Sequence, residues 1–240
     1  MEYDNSFDYE LQNRGVDFSA TFAKVMRNVY LWMACGLAMT ALTAYFVAGQ
    51  DEIIYAIATN RLLFWGLLIG EVGLVLWLSA RINKMSSMTA GILFAAYAIL
   101  NGVTMSVILL VYTMESIASA FFTTAGTFAV MSVIGYMTKK DLSGIGKILV
   151  MGLIGLIIAT VVNMFVGSTG FALILNYAGV LIFVGLTAYD TQKIKVLVYE
   201  SAMNGDEELT NKIAIMGSLT LYLDFINLFL YLLRIFGRRR

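Results

Sequence analysis

The chain of 240 residues carries 16 Lys and Arg against 16 Asp and Glu, and 60% of its side chains are hydrophobic. That is the composition of a polytopic membrane protein. Zero net charge without a basic stripe argues against a nucleic-acid partner, and a single cysteine, Cys35, excludes an intrachain disulfide. Histidine and proline are both absent. Without histidine there is no imidazole to hold the metal of a zinc hydrolase, and proton sensing near neutrality falls to carboxylates in unusual surroundings. Without proline, any bend relies on glycine or polar side chains.

In chain order, residues 1–28 form a polar, slightly acidic tail with no basic segment leading into an apolar core and a small-residue cleavage site, so no removable signal peptide is expected. Within it, Phe18, Phe22, Val25, Met26 and Val29 recur at helical spacing while Lys24, Arg27 and Asn28 fall elsewhere. This predicts an amphipathic interfacial helix, with Asp17 or Ser19 as its N-cap.

Residues 29–240 are expected to form one transmembrane domain. At about 20 apolar residues per crossing, spans fall near 29–48, 62–80, 89–111, 116–137, 146–166, 171–192 and 213–234. Connections are short except for a hydrophilic one near 193–212. Gly66, Gly70 and Gly73 in the second span, and Gly152 and Gly155 in the fifth, predict close helix approach. The bias of lysine and arginine predicts a cytoplasmic N-terminus. The terminal GRRR then lies on the opposite side after seven crossings, unless the last segment is re-entrant.

The seventh span holds the sharpest periodicity: Gly217, Thr220, Asp224, Asn227, Tyr231 and Arg234 follow at intervals of three or four, lining one face of an otherwise apolar helix. Such a helix belongs inside a bundle, where its polar groups find partners or water. Asn101 and Asn163 are the expected partners. Asp190, in GLTAYDTQKIK, ends another apolar run, and Glu71 lies within the second span. A charge at membrane depth costs about 2.5–3.5 kcal/mol on insertion scales, so each is a functional candidate.

Three segments, MTKKDLSGIGKILVMGLIGLIIATVVNMF, GLTAYDTQKIK and LTLYLDFINLFLYLLRIFG, resemble the Bax inhibitor family in its bacterial branch, over the chain from about residue 28 onward. The resemblance implies an all-α, seven-helix bundle with the last helix central and six around it. It implies a pH-sensitive calcium leak, with Asp190 and Asp224 as sensor and an arginine ending the second span as latch. Arg81 occupies that helix end, though the family often carries consecutive basic residues where this chain reads Arg81, Ile82, Asn83, Lys84. Location in a bacterial cytoplasmic (inner) membrane follows from the same likeness.

Two carboxylates close together in a poorly solvated site do not ionise together easily, so the pair is expected to share a proton. Charge on the pair would hold Arg81 and close the cytoplasmic mouth; protonation would release it. Calcium suits the path as permeant ion because Glu71, Asp224, Thr220, Asn227 and Tyr231 offer only oxygen, with Asp190 and Asp224 as transient contacts. No bound cofactor is expected. Depth is the difficulty: at 1.5 Å per residue, Asp190 is about 7 Å from Lys195 and Asp224 about 18 Å from Lys212.

Other readings are open. Paired intramembrane aspartates also occur in aspartyl proteases, but Asp224 lacks the glycine-flanked GxGD setting and a chain without proline has no PAL element, so no enzyme is expected. A retinal protein would place a lysine deep in the seventh span. The serious rival is an interaction protein that modulates a membrane-bound protease or a cell-death response without transport, as the resemblance also implies.

Overall fold

In lipid a backbone must satisfy its own polar groups, and this chain does so with helices. The computed structural model describes residues 18–204 and 207–240; the acidic tail and Asp17 lie outside the described residues. Among the described residues eight α-helices follow in order: α1 Phe18–Ala48, α2 Asp51–Thr59, α3 Arg61–Arg81, α4 Ser87–Val111, α5 Met114–Met137, α6 Ser143–Val166, α7 Thr169–Asn204 and α8 Glu207–Phe236. All but the short α2 are long and apolar enough to cross a membrane. Each of the seven expected spans falls inside one of them.

Local chemistry sets the boundaries. Side-chain oxygens of Asn60, Ser86 and Thr113 accept the N–H groups of Leu63 (3.1 Å), Thr89 (3.2 Å) and Ser116 (3.3 Å), capping α3, α4 and α5. At the other end of α6, Gly167 takes φ of 69°, a left-handed conformation open to glycine, and its N–H reaches the Asn163 carbonyl at 2.8 Å.

The last helix is the core. Leu221, Tyr222 and Leu228 on α8 are fully buried, and its main neighbours are α1, α4, α5 and α7. The outer two spans differ from a ring of six: α3 packs chiefly on α4, and α6 chiefly on α7. An uninterrupted α8 excludes the re-entrant alternative, so the start of α1 and the end of α8 lie at opposite ends of the bundle. There the tail is tied to the α4–α5 turn: Thr113 N–H donates to the Arg238 carbonyl (3.2 Å), Arg238 N–H to Ser116 Oγ (2.9 Å) and Arg240 N–H to the Val111 carbonyl (2.9 Å).

Two sequence expectations need correction. The hydrophilic connection near 193–212 is mostly helix, with α7 running to Asn204 and α8 beginning at Glu207. Ile194 and Val198, one turn apart and both buried, continue the apolar stripe of α7 past its charged residues. They also cover Phe22, Val25, Met26 and Val29 of α1, so the face read as interfacial packs on protein.

The glycines divide differently from expectation. A Cβ on Gly66, Gly70, Gly73 or Gly155 would meet nothing within 4 Å, and on Gly152 only ordinary contact with Ile182. Close approach occurs elsewhere: a Cβ on Gly102 would lie 2.6 Å from the Thr40 carbonyl oxygen, and one on Gly135 would strike the backbone of Ala188. Repetition along one helix face reveals smallness without telling which face meets a helix. Thermal unfolding in detergent should therefore show Gly102→Val destabilised by about 1–3 kcal/mol, as overpacking costs, and Gly70→Val close to wild type. The reverse order would contradict this packing.

Candidate functional site

The extended helices bring Asp190 and Asp224 to the same level. Asp190 stands 14 residues before the end of α7 and Asp224 17 residues after the start of α8. At 1.5 Å per residue those are about 21 and 26 Å along antiparallel neighbours. The mismatch expected from sequence arose from starting the count at the lysines.

The two carboxyl groups face each other within hydrogen-bonding reach. Both residues are buried, Asp190 at 8% exposure and Asp224 at 4%. Around them the hydroxyls are committed to backbone: Thr187 Oγ1 donates to the Phe183 carbonyl (2.8 Å), Thr191 Oγ1 to the Thr187 carbonyl (2.8 Å), and Ser218 Oγ to the Ile215 carbonyl (2.7 Å). Among the described residues no group donates to Asp224 Oδ2. A carboxylate facing a carboxylate has no donor at all. A proton held between the two acids would satisfy this geometry.

Gln192 went unremarked in the sequence, yet it pins the loop beside the pair. Its Nε2 donates to the Lys140 carbonyl (2.9 Å) and its Oε1 accepts the Leu142 N–H (2.8 Å). In that loop, hydrogen bonds from Ser143, its side chain contributing most, hold the exposed Asp141 carboxyl below the ordinary aspartate value.

The remaining predicted residues are placed unevenly. Thr220 Oγ1 donates to the Met216 carbonyl (3.1 Å) and Asn227 Nδ2 to the Leu223 carbonyl (2.8 Å), so both spend donors on their own helix. Tyr231 stacks on Phe183 with ring centroids 5.9 Å apart, and the Arg234 guanidinium sits 5.5 Å from the Tyr231 ring centroid. Arg81 is exposed at the end of α3 and makes no ion pair within 4.0 Å with Asp190 or Asp224. The turn Ile82–Lys84 that follows it does touch α8.

Glu71 is not brought to the aspartate pair. Buried at 8% exposure, it accepts the Thr104 hydroxyl at 2.7 Å and lies within electrostatic reach of Tyr97 and Tyr222. Asn101 and Asn163 do not hydrogen-bond to the stripe either. Asn101 turns to Tyr97 on its own helix, and Asn163 is on α6, away from α8. Sequence reasoning also missed Tyr222 and Thr40, whose hydroxyls are 2.7 Å apart in the core.

The chain is similar to known proteins along most of its length. The model of the family described as inhibitor of apoptosis-promoting Bax1 matches residues 22–240. The inner membrane protein YbhL of Escherichia coli K12 is 49% identical over 215 residues, covering 90% of this chain and 92% of its own. A Borreliella burgdorferi protein is 46% identical over 217 residues, covering 90% and 93%. A Rickettsia prowazekii protein is 40% identical over 225 residues, covering 93% of each.

If a proton joins the pair, an amide can stand in for one acid. Asp190→Asn should unfold near the wild-type temperature. Asp190→Leu, which removes the carboxyl group facing Asp224 and leaves that acid buried alone, should lose about 1–3 kcal/mol. Equal melting of the two variants would speak against the shared proton.

Proposed function

This chain belongs to the Bax inhibitor family, and on that premise we propose that it is a pH-sensitive cation leak of a bacterial cytoplasmic membrane, with calcium as the permeant ion. One observation carries the reading: two acids from adjacent membrane-spanning helices face each other, buried, and no donor among the described residues reaches Asp224 Oδ2. Such a pair changes charge as a unit. A structural role alone would be served as well by an apolar contact of similar volume, at lower desolvation cost.

The sign follows from the charges. When the shared proton leaves, the pair becomes dianionic; Lys193 beside it offsets part of that charge, and the remainder attracts the Arg81 guanidinium at the end of α3, which closes the mouth. When the proton returns, attraction weakens and Arg81 withdraws to solvent. Its exposure and the contact of the following turn with α8 support this reach. Lower pH therefore opens the path.

Oxygen chemistry favours a hard cation. Because Thr220 directs its one donor and Asn227 one of its two to backbone carbonyls, what they retain toward a path is chiefly acceptor capacity. Asp190 and Asp224 add carboxyl oxygens at the constriction, and Tyr231 a hydroxyl further along. Glu71 supplies an oxygen site on another side of α8. No hydrolysis is assigned to the pair: in this reading it moves a proton and admits an ion. The name of the E. coli relative and the basic bias of one set of loops support a cytoplasmic N-terminus in an inner membrane.

In calcium-loaded vesicles of purified protein, flux should rise from mildly alkaline to mildly acidic pH. Asp190→Asn and Asp224→Asn should each flatten that dependence, and Arg81→Ala should raise flux at alkaline pH. Absence of flux at every pH would instead favour a partner-binding protein that modulates a protease.

A further inference from the structure

Thr40 sits at a junction of three helices. Its Oγ1 is 2.9 Å from the Ala98 carbonyl oxygen on α4, 3.0 Å from the Gly36 carbonyl on its own helix α1, and 2.7 Å from the Tyr222 hydroxyl on α8. A threonine hydroxyl has one proton to give, and carbonyls only accept. Thr40 therefore donates to the carbonyls, and Tyr222 donates to Thr40. The order is fixed without reference to pH: tyrosine to threonine to backbone.

The surroundings are built for this contact. Tyr222 is fully buried and Thr40 is buried at 4% exposure. Phe94 and Tyr97 of α4 meet the Tyr222 ring edge-on, at centroid distances of 5.5 and 6.0 Å. Two glycines make room: a Cβ on Gly36 would lie 2.7 Å from the Phe94 ring, and one on Gly102 would lie 2.6 Å from the Thr40 carbonyl oxygen. An apolar residue in place of Tyr222 would satisfy the packing. The hydroxyl is needed only for the junction.

Tyr222 stands two residues before Asp224. At 3.6 residues per turn they are about 200° apart around α8, pointing to nearly opposite sides. One side is tied through Tyr222 to α1 and α4, and the other through Asp224 to Asp190 on α7. We propose that Thr40 and Tyr222 are positioning residues that fix the rotation of α8, so that Asp224 is held against Asp190 and the pair can share its proton. A rotation of α8 by a third of a turn would displace a side chain by several ångströms, more than a hydrogen bond tolerates. The fixed side thus makes the proton-sensitive side the only one free to give way. This inference rests on the shared-proton reading of the site.

The ionisable groups near each anchor are few. Asp190 and Asp224 face each other, with Lys193 the charged neighbour on α7. Tyr222 has Tyr97 of α4 and Glu71 of α3 within electrostatic reach. Effects of Tyr222→Phe on the aspartates therefore travel through the position of α8, since Phe retains the ring and removes only the hydroxyl.

The test is infrared titration of the carboxyl bands in reconstituted wild type, Tyr222→Phe, Thr40→Val and Thr40→Ser, with Asp224→Asn to assign the pair, alongside vesicle flux and thermal unfolding. Tyr222→Phe and Thr40→Val should shift the pair's carboxyl band toward that of a weakly hydrogen-bonded acid and reduce the ratio of acidic to alkaline flux several-fold. Thr40→Ser, which keeps the hydroxyl, should restore both. A band and pH profile unchanged in Tyr222→Phe and Thr40→Val would overturn the proposal. If the wild type carries no flux, the leak reading fails while the infrared comparison still decides the positioning role. If Tyr222→Phe does not fold, Thr40→Val against Thr40→Ser decides it.

Discussion

The arrangement depends on the cost of burying two acids against each other among membrane-spanning helices. A lone carboxylate at that depth would be neutralised or expelled, and two facing carboxylates would repel without screening. One proton between them removes both problems. Much of the bundle serves that meeting: α7 and α8 extend beyond the apolar spans, which brings Asp190 and Asp224 to a common level, and the surrounding hydroxyls bond to backbone carbonyls and leave the acids to each other.

The central position of α8 follows from the same need. A helix carrying an acid, an amide and several hydroxyls cannot face lipid, so α1, α4, α5 and α7 close around it and α3 and α6 are left to the outside. Their outward faces are accordingly apolar, with Leu62, Ile69, Leu76, Ile154 and Phe165 exposed to what would be hydrocarbon. The glycines of α3 lie on this outer layer, where small size brings no partner closer.

What the sequence made legible was what differs from its background. Seven apolar runs stood out by length, and Asp190, Asp224 and Glu71 by charge. Helix ends beyond the apolar runs were not legible, because Val196 to Ser201 is mixed in polarity and continues as helix only through burial of Ile194 and Val198 against other helices. Tyr222 was hidden for the opposite reason: within LYLDF an aromatic residue reads as one more apolar side chain, and its hydroxyl matters only because Thr40, 182 positions away, is there to receive it. Arg81 stood out by its place at a helix end, and it is exposed there without an ion pair to Asp190 or Asp224.

A proton common to both acids is the central claim, and carboxyl carbon shifts measure it most directly. In bilayer-reconstituted protein carrying 13C-labelled aspartate, with Asp190→Asn and Asp224→Asn used for assignment, both resonances should follow the same two titration steps, each carbon reporting both. Two independent single-step curves, each indifferent to removal of the other acid, would contradict the account.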